Sequence, residues 1–227
     1  MIPPGQHGRA PDAGLRILII DHGCCDHPHT RAHGIRAGLE AVGMRAAVCG
    51  PSTVPGLDEQ PAGMYGIHLH DIAAASRSFL AAVRDGSPQA FLTAVAGVPS
   101  RLLGLARETA RQMIVEASDA LYPDAIFVLH AGILTDLAVE TGAPVVVHVS
   151  AADLEVAAVR PSLRRLVASA IGSSDRVVAA DASVASLLQQ GWLGDETCDI
   201  WPVDAHAAGH VADACRAALA RRRGEPR

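Results

Sequence analysis

Short apolar runs rich in isoleucine and valine alternate along the chain with longer segments rich in alanine and leucine. The first run, residues 15–21, is apolar over its centre, which is typical of a parallel strand covered on both faces. Similar runs predict further strands at residues 45–49 (ending at Gly50 and Pro51), 65–69, 125–129, 145–149, 176–179 and 198–201. The segments between them predict helices at residues 30–43 (with Thr30 as the cap), 133–141, 161–171, 182–190 and 207–222. Residues 71–120 are expected to be mostly helical, with breaks near 86–88 and 97–99.

This alternation predicts an α/β fold with a single Rossmann-like, doubly wound parallel sheet. Helices are expected on both faces, because right-handed crossovers between parallel strands place them there. No linker divides the chain, so one domain is expected over residues 15–222. Residues 1–14 contain several prolines and glycines and no apolar segment, and they are expected to be a disordered leader. Residues 223–227 are expected to be a frayed tail.

Composition and charge exclude several classes of protein. The 227 residues are 49% hydrophobic and only 3% aromatic, with a formal net charge of −5. The chain therefore has no excess of positive charge to neutralise phosphates and few aromatic rings on which bases could stack. Nucleic acid is therefore not an expected partner. No stretch approaches the roughly 18 consecutive apolar residues of a membrane span. Five cysteines without regular spacing do not indicate a disulfide framework, so a reducing, cytoplasmic location is expected.

Histidines gather at the predicted carboxyl ends of the strands, where open parallel sheets bind their ligands. The set consists of His22, His27, His29, His68, His70, His130 and His148. Asp153 follows the fifth strand and Asp181 the sixth. As a group these residues predict a pocket of general acids, hydrogen-bond donors or metal ligands. The alternative for any single histidine is a polar strand-end loop that tolerates this residue type.

The loop after the first strand contains many side chains of the kinds that bind zinc or another borderline metal. They are His22, Cys24, Cys25, Asp26, His27, His29 and His33. Cys24 and Cys25 are adjacent rather than spaced as CxxC, and no second CxxC or HExxH follows, so a metal is the less favoured interpretation. The competing interpretation is contact with a phosphate or a sugar, because the loop leads into a helix N-terminus. The chain also lacks GxGxxG and GxSxG, which argues against a simple dehydrogenase and against nucleophilic serine catalysis.

Five segments follow one another in an order that suggests a family. They are RILIIDHG, HTRAHGIRAGLEAVGMRAAVCGP, YPDAIFVLHAGILTDLAVETGAPVVVHVSAADL, RPSLRRLVASAIGSSDRVVAAD and DIWPVDAH. Together they resemble the N-terminal domain of the family-4 retaining glycosyltransferases, which have the two-domain GT-B fold. The resemblance extends over nearly the whole chain.

The chain departs from that family at several positions. Ser150 stands where the family has its acceptor-site histidine, and Ala151 where it has a glycine. His148, two residues earlier on the same strand face, is the candidate substitute, and Asp181 replaces a serine after the sixth strand. After Asp204 the chain passes directly into its last helix, so the domain with which the family binds the nucleotide sugar is expected to be missing.

The resemblance implies the acceptor-binding half of an enzyme that transfers a hexosyl group. A nucleotide sugar would be the donor and a small molecule the acceptor, with no required cofactor, and a partner protein with the donor domain or a second copy of the chain would cover the open edge. The implied catalytic residues are His130, Ser150 and Asp153, and the implied substrate-binding residues are His22, Gly23, His29, Thr30, His148 and Asp181. Two alternatives stay open: a non-catalytic binding or regulatory protein on the same scaffold, and a stand-alone enzyme that uses the histidine-rich edge, with or without a metal.

Overall fold

The computed structural model describes residues 14–23, 25–26, 30–52, 62–69, 77–85, 87–193, 198–202 and 207–224. Seven strands lie within these ranges: β1 (Arg16–Ile20), β2 (Arg45–Ser52), β3 (Met64–His68), β4 (Ala125–Val128), β5 (Val145–Val149), β6 (Arg176–Ala179) and β7 (Asp199–Ile200). The same ranges contain nine helices: α1 (Arg31–Ala41), α2 (Arg77–Asp85), α3 (Pro88–Gly97), α4 (Ser100–Leu121), α5 (Thr135–Glu140), α6 (Ala151–Ala158), α7 (Pro161–Gly172), α8 (Ala182–Gly191) and α9 (Ala208–Arg223).

The seven strands form one sheet in the order β3-β2-β1-β4-β5-β6-β7, and every neighbouring pair is parallel. This order confirms the predicted Rossmann-like α/β fold. After β3 the next strand, β4, is added on the other side of β1, so the strand order reverses between β1 and β4. Sheets of this type bind ligands in the crevice at the carboxyl ends of the strands that flank such a reversal.

Both faces of the sheet are buried, as expected for a parallel sheet. Ile17 and Ile19 of β1 point to the face that α1 and α9 cover, whereas Leu18 and Ile20 point to the face covered by α3 to α8. All four side chains are fully buried. The predicted helical layers on both sides of the sheet are therefore present.

The strand β2 continues through Gly50 and Pro51, so the prediction that it ends before them is wrong. β1 stops at Ile20, which pairs with Cys49, and the last residues of β2 pair only with β3. On its other side, Pro51 accepts a hydrogen bond from the backbone N–H of Cys25 at 2.7 Å. Proline is tolerated at this position because β1 has already ended and no ladder bond to it is lost.

The helix α6 is absent from the predicted elements. It begins with a capping box, in which the Ser150 hydroxyl accepts from the Asp153 N–H and the Asp153 carboxylate accepts from the Ser150 N–H at 2.8 Å. The helices predicted at residues 30–43, 133–141, 161–171, 182–190 and 207–222 agree with the structure within two residues at each end, whereas the start of the predicted helical segment 71–120 lies outside the described residues. Thr30 is at the N-cap position of α1, but its side chain makes no capping hydrogen bond.

The ends of the predicted domain fall mostly outside the described residues. Of the predicted leader only Gly14 is described, and of the predicted tail only Arg223, the last residue of α9, and Gly224. The domain limits therefore stay a prediction. Within the described ranges, no helix combines the length and the apolar character that crossing a membrane would take.

Candidate functional site

Five titratable side chains lie together at the carboxyl ends of β1, β4 and β5, on both sides of the point where the strand order reverses. We call them the strand-end cluster: Asp21, His22, His130, His148 and Asp153. All five are buried, although water would solvate each of these groups in an unfolded chain. Polar groups are seldom buried in such number unless they are hydrogen-bonded or serve a function.

His130 and Asp153 form a buried pair at the centre of this cluster. His130 follows β4, Asp153 lies in the first turn of α6, and the His130 Nδ1 is 3.2 Å from Asp153 Oδ1. The other carboxylate oxygen, Oδ2, accepts from the backbone N–H groups of Ser150 at 2.8 Å and Ala131 at 3.3 Å. The single Asp153 side chain therefore connects the loop after β4 to the start of α6.

Burial and pairing act in opposite directions on the two partners. Burial lowers the pKa of His130, but the hydrogen bond and charge of Asp153 outweigh it, with help from Asp21, and the net pKa is raised above 6.5. Burial raises the pKa of Asp153, but the bond and charge of His130 and the Ser150 N–H hold it below 3.8. Both shifts favour the ion pair. With Nδ1 bound to Asp153, Nε2 is the nitrogen that can meet a ligand, and the His130 side chain is 11% exposed.

His22, directly after β1, is fully buried and electrically neutral. The backbone N–H of Leu134 donates to its Nε2 at 3.2 Å, so the proton of the neutral ring is assigned to Nδ1. Burial, followed by the charge of His130, lowers the pKa of His22 to about 3. Nδ1 is buried and has no acceptor among the described residues.

His148 on β5 is the second buried neutral imidazole. Its Nδ1 is 3.2 Å from the carbonyl oxygen of Leu129 and donates to it, and its ring lies 6.0 Å from that of Trp201. Burial, followed by the charge of His130, lowers the pKa of His148 to about 4. Its Nε2 is buried and has no hydrogen-bond partner in the part of the chain that the structure describes.

Asp21 completes the cluster, and the sequence interpretation did not include it among the site residues. Its Oδ1 accepts from the Gly23 N–H at 2.9 Å, and burial raises its pKa despite the opposing charge of His130. Its backbone lies so close to β2 that a Cβ on Gly50 would be 2.8 Å from the Asp21 carbonyl oxygen. The sequence feature that could identify Asp21 as a site residue is its place at the end of an apolar strand, next to the reversal of strand order.

Of the remaining predicted site residues, some have structural partners and some lie outside the described residues, whereas the Thr30 hydroxyl is buried without a hydrogen-bond partner among the described residues. Ser150 caps α6, and Asp181 is exposed and caps α8 by accepting from the N–H groups of Ser183 and Val184. The three predicted site or loop histidines at positions 27, 29 and 70 lie outside the described residues, as does Cys24. No group of three or more His, Cys, Asp or Glu side chains within the described ranges has the arrangement of a metal site.

An open cavity of about 290 Å³ lies near β7, and none of the five cluster residues lines it. Its walls include the ion pair between Arg176 and Asp199 and the stacked rings of Trp201 and His210, whose centres are 5.6 Å apart. The Trp201 ring separates this cavity from His148, because it contacts His148 and also His210.

Comparison with known proteins shows the fold of the chain but no family. No family model matches the chain, and no curated protein matches it. Among solved structures, a sucrose-phosphate synthase from Thermosynechococcus elongatus is 11% identical with a TM-score of 0.56, over 88% of this chain and 97% of that chain. The similarity supports a Rossmann-like fold of the kind found in GT-B glycosyltransferases.

Two further solved structures are more distant. The glycosyltransferase SsfS6 from Streptomyces sp. SF2575 is 13% identical with a TM-score of 0.39, over 73% of this chain and 50% of that chain. The spinosyn rhamnosyltransferase SpnG is 14% identical with a TM-score of 0.42, over 73% of this chain and 45% of that chain. The matched part of this chain thus corresponds to about half the length of either protein.

Proposed function

We propose that the protein is the acceptor-binding half of a sugar transferase of the family-4 type and works with a partner that binds the nucleotide sugar. The observation that supports this most is the His130–Asp153 pair, which lies beside the reversal of strand order, where sheets of this kind bind ligands. Both side chains are buried, but that of His130 keeps 11% of its surface exposed, against 1% for Asp153. A buried carboxylate that orients a partly exposed imidazole is an arrangement suited to proton transfer.

In the proposed reaction, His130 binds the acceptor hydroxyl through Nε2. Because this type of transferase retains the configuration, the hydroxyl oxygen forms a bond to the anomeric carbon on the face of the sugar that the donor phosphate leaves. The bond from that carbon to the phosphate oxygen breaks, and its electron pair leaves with the nucleotide. The acceptor proton moves to Nε2 of His130, and Asp153 stabilises the resulting imidazolium. Only neutral His130 can take this proton, so activity should rise as the pH rises through its raised pKa.

Gly23 follows β1 and Thr30 precedes α1, and we include both with His22 and His148 in the proposed binding region. The partner is either a protein with the donor domain or a second copy of the chain that covers the crevice. A nucleotide sugar and a small-molecule acceptor are the proposed substrates, and the cytoplasm is the proposed location.

The function can be tested without knowing the acceptor or the partner in advance. An extract from a host strain that lacks this gene supplies the other components of the cell, so under the proposal purified protein added to it should restore transfer from radiolabelled nucleotide sugars. His130→Gln should restore transfer at least about 100-fold more slowly, because the proton acceptor is lost. His210→Gln is the control, since it removes an exposed imidazole on α9 outside the cluster.

Restoration by wild type and by His210→Gln, but not by His130→Gln, is the expected result. Equal restoration by His130→Gln, or no transfer with any nucleotide sugar, would contradict the proposal. The second outcome favours the second candidate, a non-catalytic binding protein. The observation behind that candidate is the capping box, which gives Ser150 and Asp153 a structural role at the start of α6.

A further inference from the structure

The Nδ1–H of His22 is a buried donor that the proposed proton transfer does not use. Leu134 fixes the tautomer by donating to Nε2, and no group among the described residues accepts from Nδ1. Native proteins rarely leave such a donor without an acceptor, and each exception calls for an explanation.

Helix α3 forms a roof over His22. The Phe91 ring is centred 6.1 Å from the His22 ring and tilted by 55°. A Cβ on Gly132 would lie 2.5 Å from both His22 Nε2 and Leu92 Cδ2, so Leu92 and His22 meet above this glycine. The imidazole is thus covered by the two apolar side chains, Phe91 and Leu92, and both are buried.

The polar attachments of α3 that the structure shows lie at its two ends. At the start, the Ser87 hydroxyl accepts from the Ala90 N–H at 3.2 Å. At the far end, Arg160 donates to the Val98 carbonyl oxygen at 2.7 Å and to the Ser100 hydroxyl at 3.1 Å. Between these attachments, the two side chains that cover His22 are those of Phe91 and Leu92, which are apolar and take part in none of those hydrogen bonds.

We propose that the acceptor crevice extends beneath α3, where the apolar body of the acceptor displaces Phe91 and Leu92. An oxygen atom of the acceptor then accepts a hydrogen bond from the Nδ1–H of His22. This inference rests on the proposed function and specifies the class of acceptor as an uncharged, mainly apolar molecule with a hydroxyl or carbonyl oxygen. The neutral donor and the apolar walls both fit an uncharged ligand. The charged pair of His130 and Asp153 remains outside the roof to meet the hydroxyl that reacts.

A matched pair of probes tests the site: 2-naphthol and naphthalene, which differ by one oxygen. With ¹⁵N-histidine-labelled protein, 2-naphthol should shift the His22 imidazole resonances in a saturable way and bind at least tenfold more tightly than naphthalene. His22→Phe should abolish this preference. Phe91→Ala should tighten the binding of 2-naphthol at least tenfold by opening the roof, and Phe91→Leu serves if the alanine variant does not fold.

Phe127→Ala is the matched control, because Phe127 is equally buried but lies on the opposite face of the sheet against Trp201. It should leave the affinity for 2-naphthol unchanged. Equal affinity for the two probes, unshifted His22 resonances, or no change with either Phe91 variant would overturn the inference. If the His130 resonances respond and those of His22 do not, the site beneath α3 is wrong while the proposed function stands. The extract assay tests the proposed function independently of the site beneath α3.

Discussion

Acidification from pH 6.5 to pH 4.5 should lower the free energy of unfolding by about 5 kcal/mol through His22 and His148. Both imidazoles are buried and neutral, with pKa values of about 3 and about 4 in the folded protein against 6.5 in the unfolded chain. Below pH 6.5 the unfolded chain therefore binds two protons that the folded protein does not. Each contributes a loss of about 1.4 kcal/mol per pH unit. Single domains are stable by only about 5–15 kcal/mol, so this contribution is a large part of the total stability.

Asp21 and His130 change the pH dependence of the free energy of unfolding in the opposite direction. The raised pKa of Asp21 means that the folded protein gains a proton before the unfolded chain does, which adds stability as the pH falls through that pKa. The raised pKa of His130 adds stability that is fully present below pH 6.5 and is lost as the pH rises through the folded value. The total slope therefore does not isolate the two buried imidazoles, and a variant is needed.

His148→Gln isolates one of them. Urea unfolding at several pH values should give the variant a slope smaller than that of wild type by about 1 kcal/mol per pH unit between pH 6 and 4.5. Val149→Ala is the control, because it removes buried volume next to His148 and should lower stability by the same amount at every pH. Identical slopes for wild type and His148→Gln would show that His148 is not held neutral by burial.

Replacing Asp153 with alanine should destabilise the protein by about 3–5 kcal/mol, because one partner of a buried charged pair is left alone. The substitution removes the acceptor of His130 Nδ1 and of the backbone N–H groups of Ala131 and Ser150. Ser150→Ala is the matched control, since it removes only the hydroxyl half of the capping box and should cost about 1 kcal/mol. Chemical denaturation of the two variants at pH 7 measures both values. Equal costs would mean that Asp153 acts only as a helix cap and that its bond to His130 adds nothing.

Much of the fold follows from local patterns of apolar residues. The run of valines gives β5 its observed bounds, Val145–Val149, and glycines end α1 and α5 with positive φ at Gly43 and Gly142, +81° and +78°. The two failures have different causes, the first tertiary and the second local. β2 passes through Pro51 because β1 ends first, which no property of β2 reveals. The start of α6 contains a serine and an aspartate three residues apart, a local capping signal that coincides with the segment resembling the family's acceptor-site motif.

The candidate site could be located from the sequence, but its chemistry could not. The rule that ligands bind at strand ends brought His22, His130, His148 and Asp153 into one region. Whether each histidine is exposed depends on distant elements: α3 covers His22, and Trp201 after β7 packs against His148. Spacing along the chain does not indicate such coverage, so it also does not indicate which imidazole keeps an accessible nitrogen. The sequence likewise places Asp181 at a strand end but does not indicate that its side chain caps α8.

The most direct test of the account is the titration of His130 by ¹⁵N NMR of the imidazole nitrogens, in wild type and in Asp153→Asn. His130 should titrate with a pKa above 6.5 in wild type, with Nδ1 protonated throughout, and its pKa should fall in Asp153→Asn because the charge of the partner is lost. A wild-type His130 that titrates at or below 6.5, or one that Asp153→Asn leaves unchanged, would contradict a proton-accepting pair at this edge of the sheet.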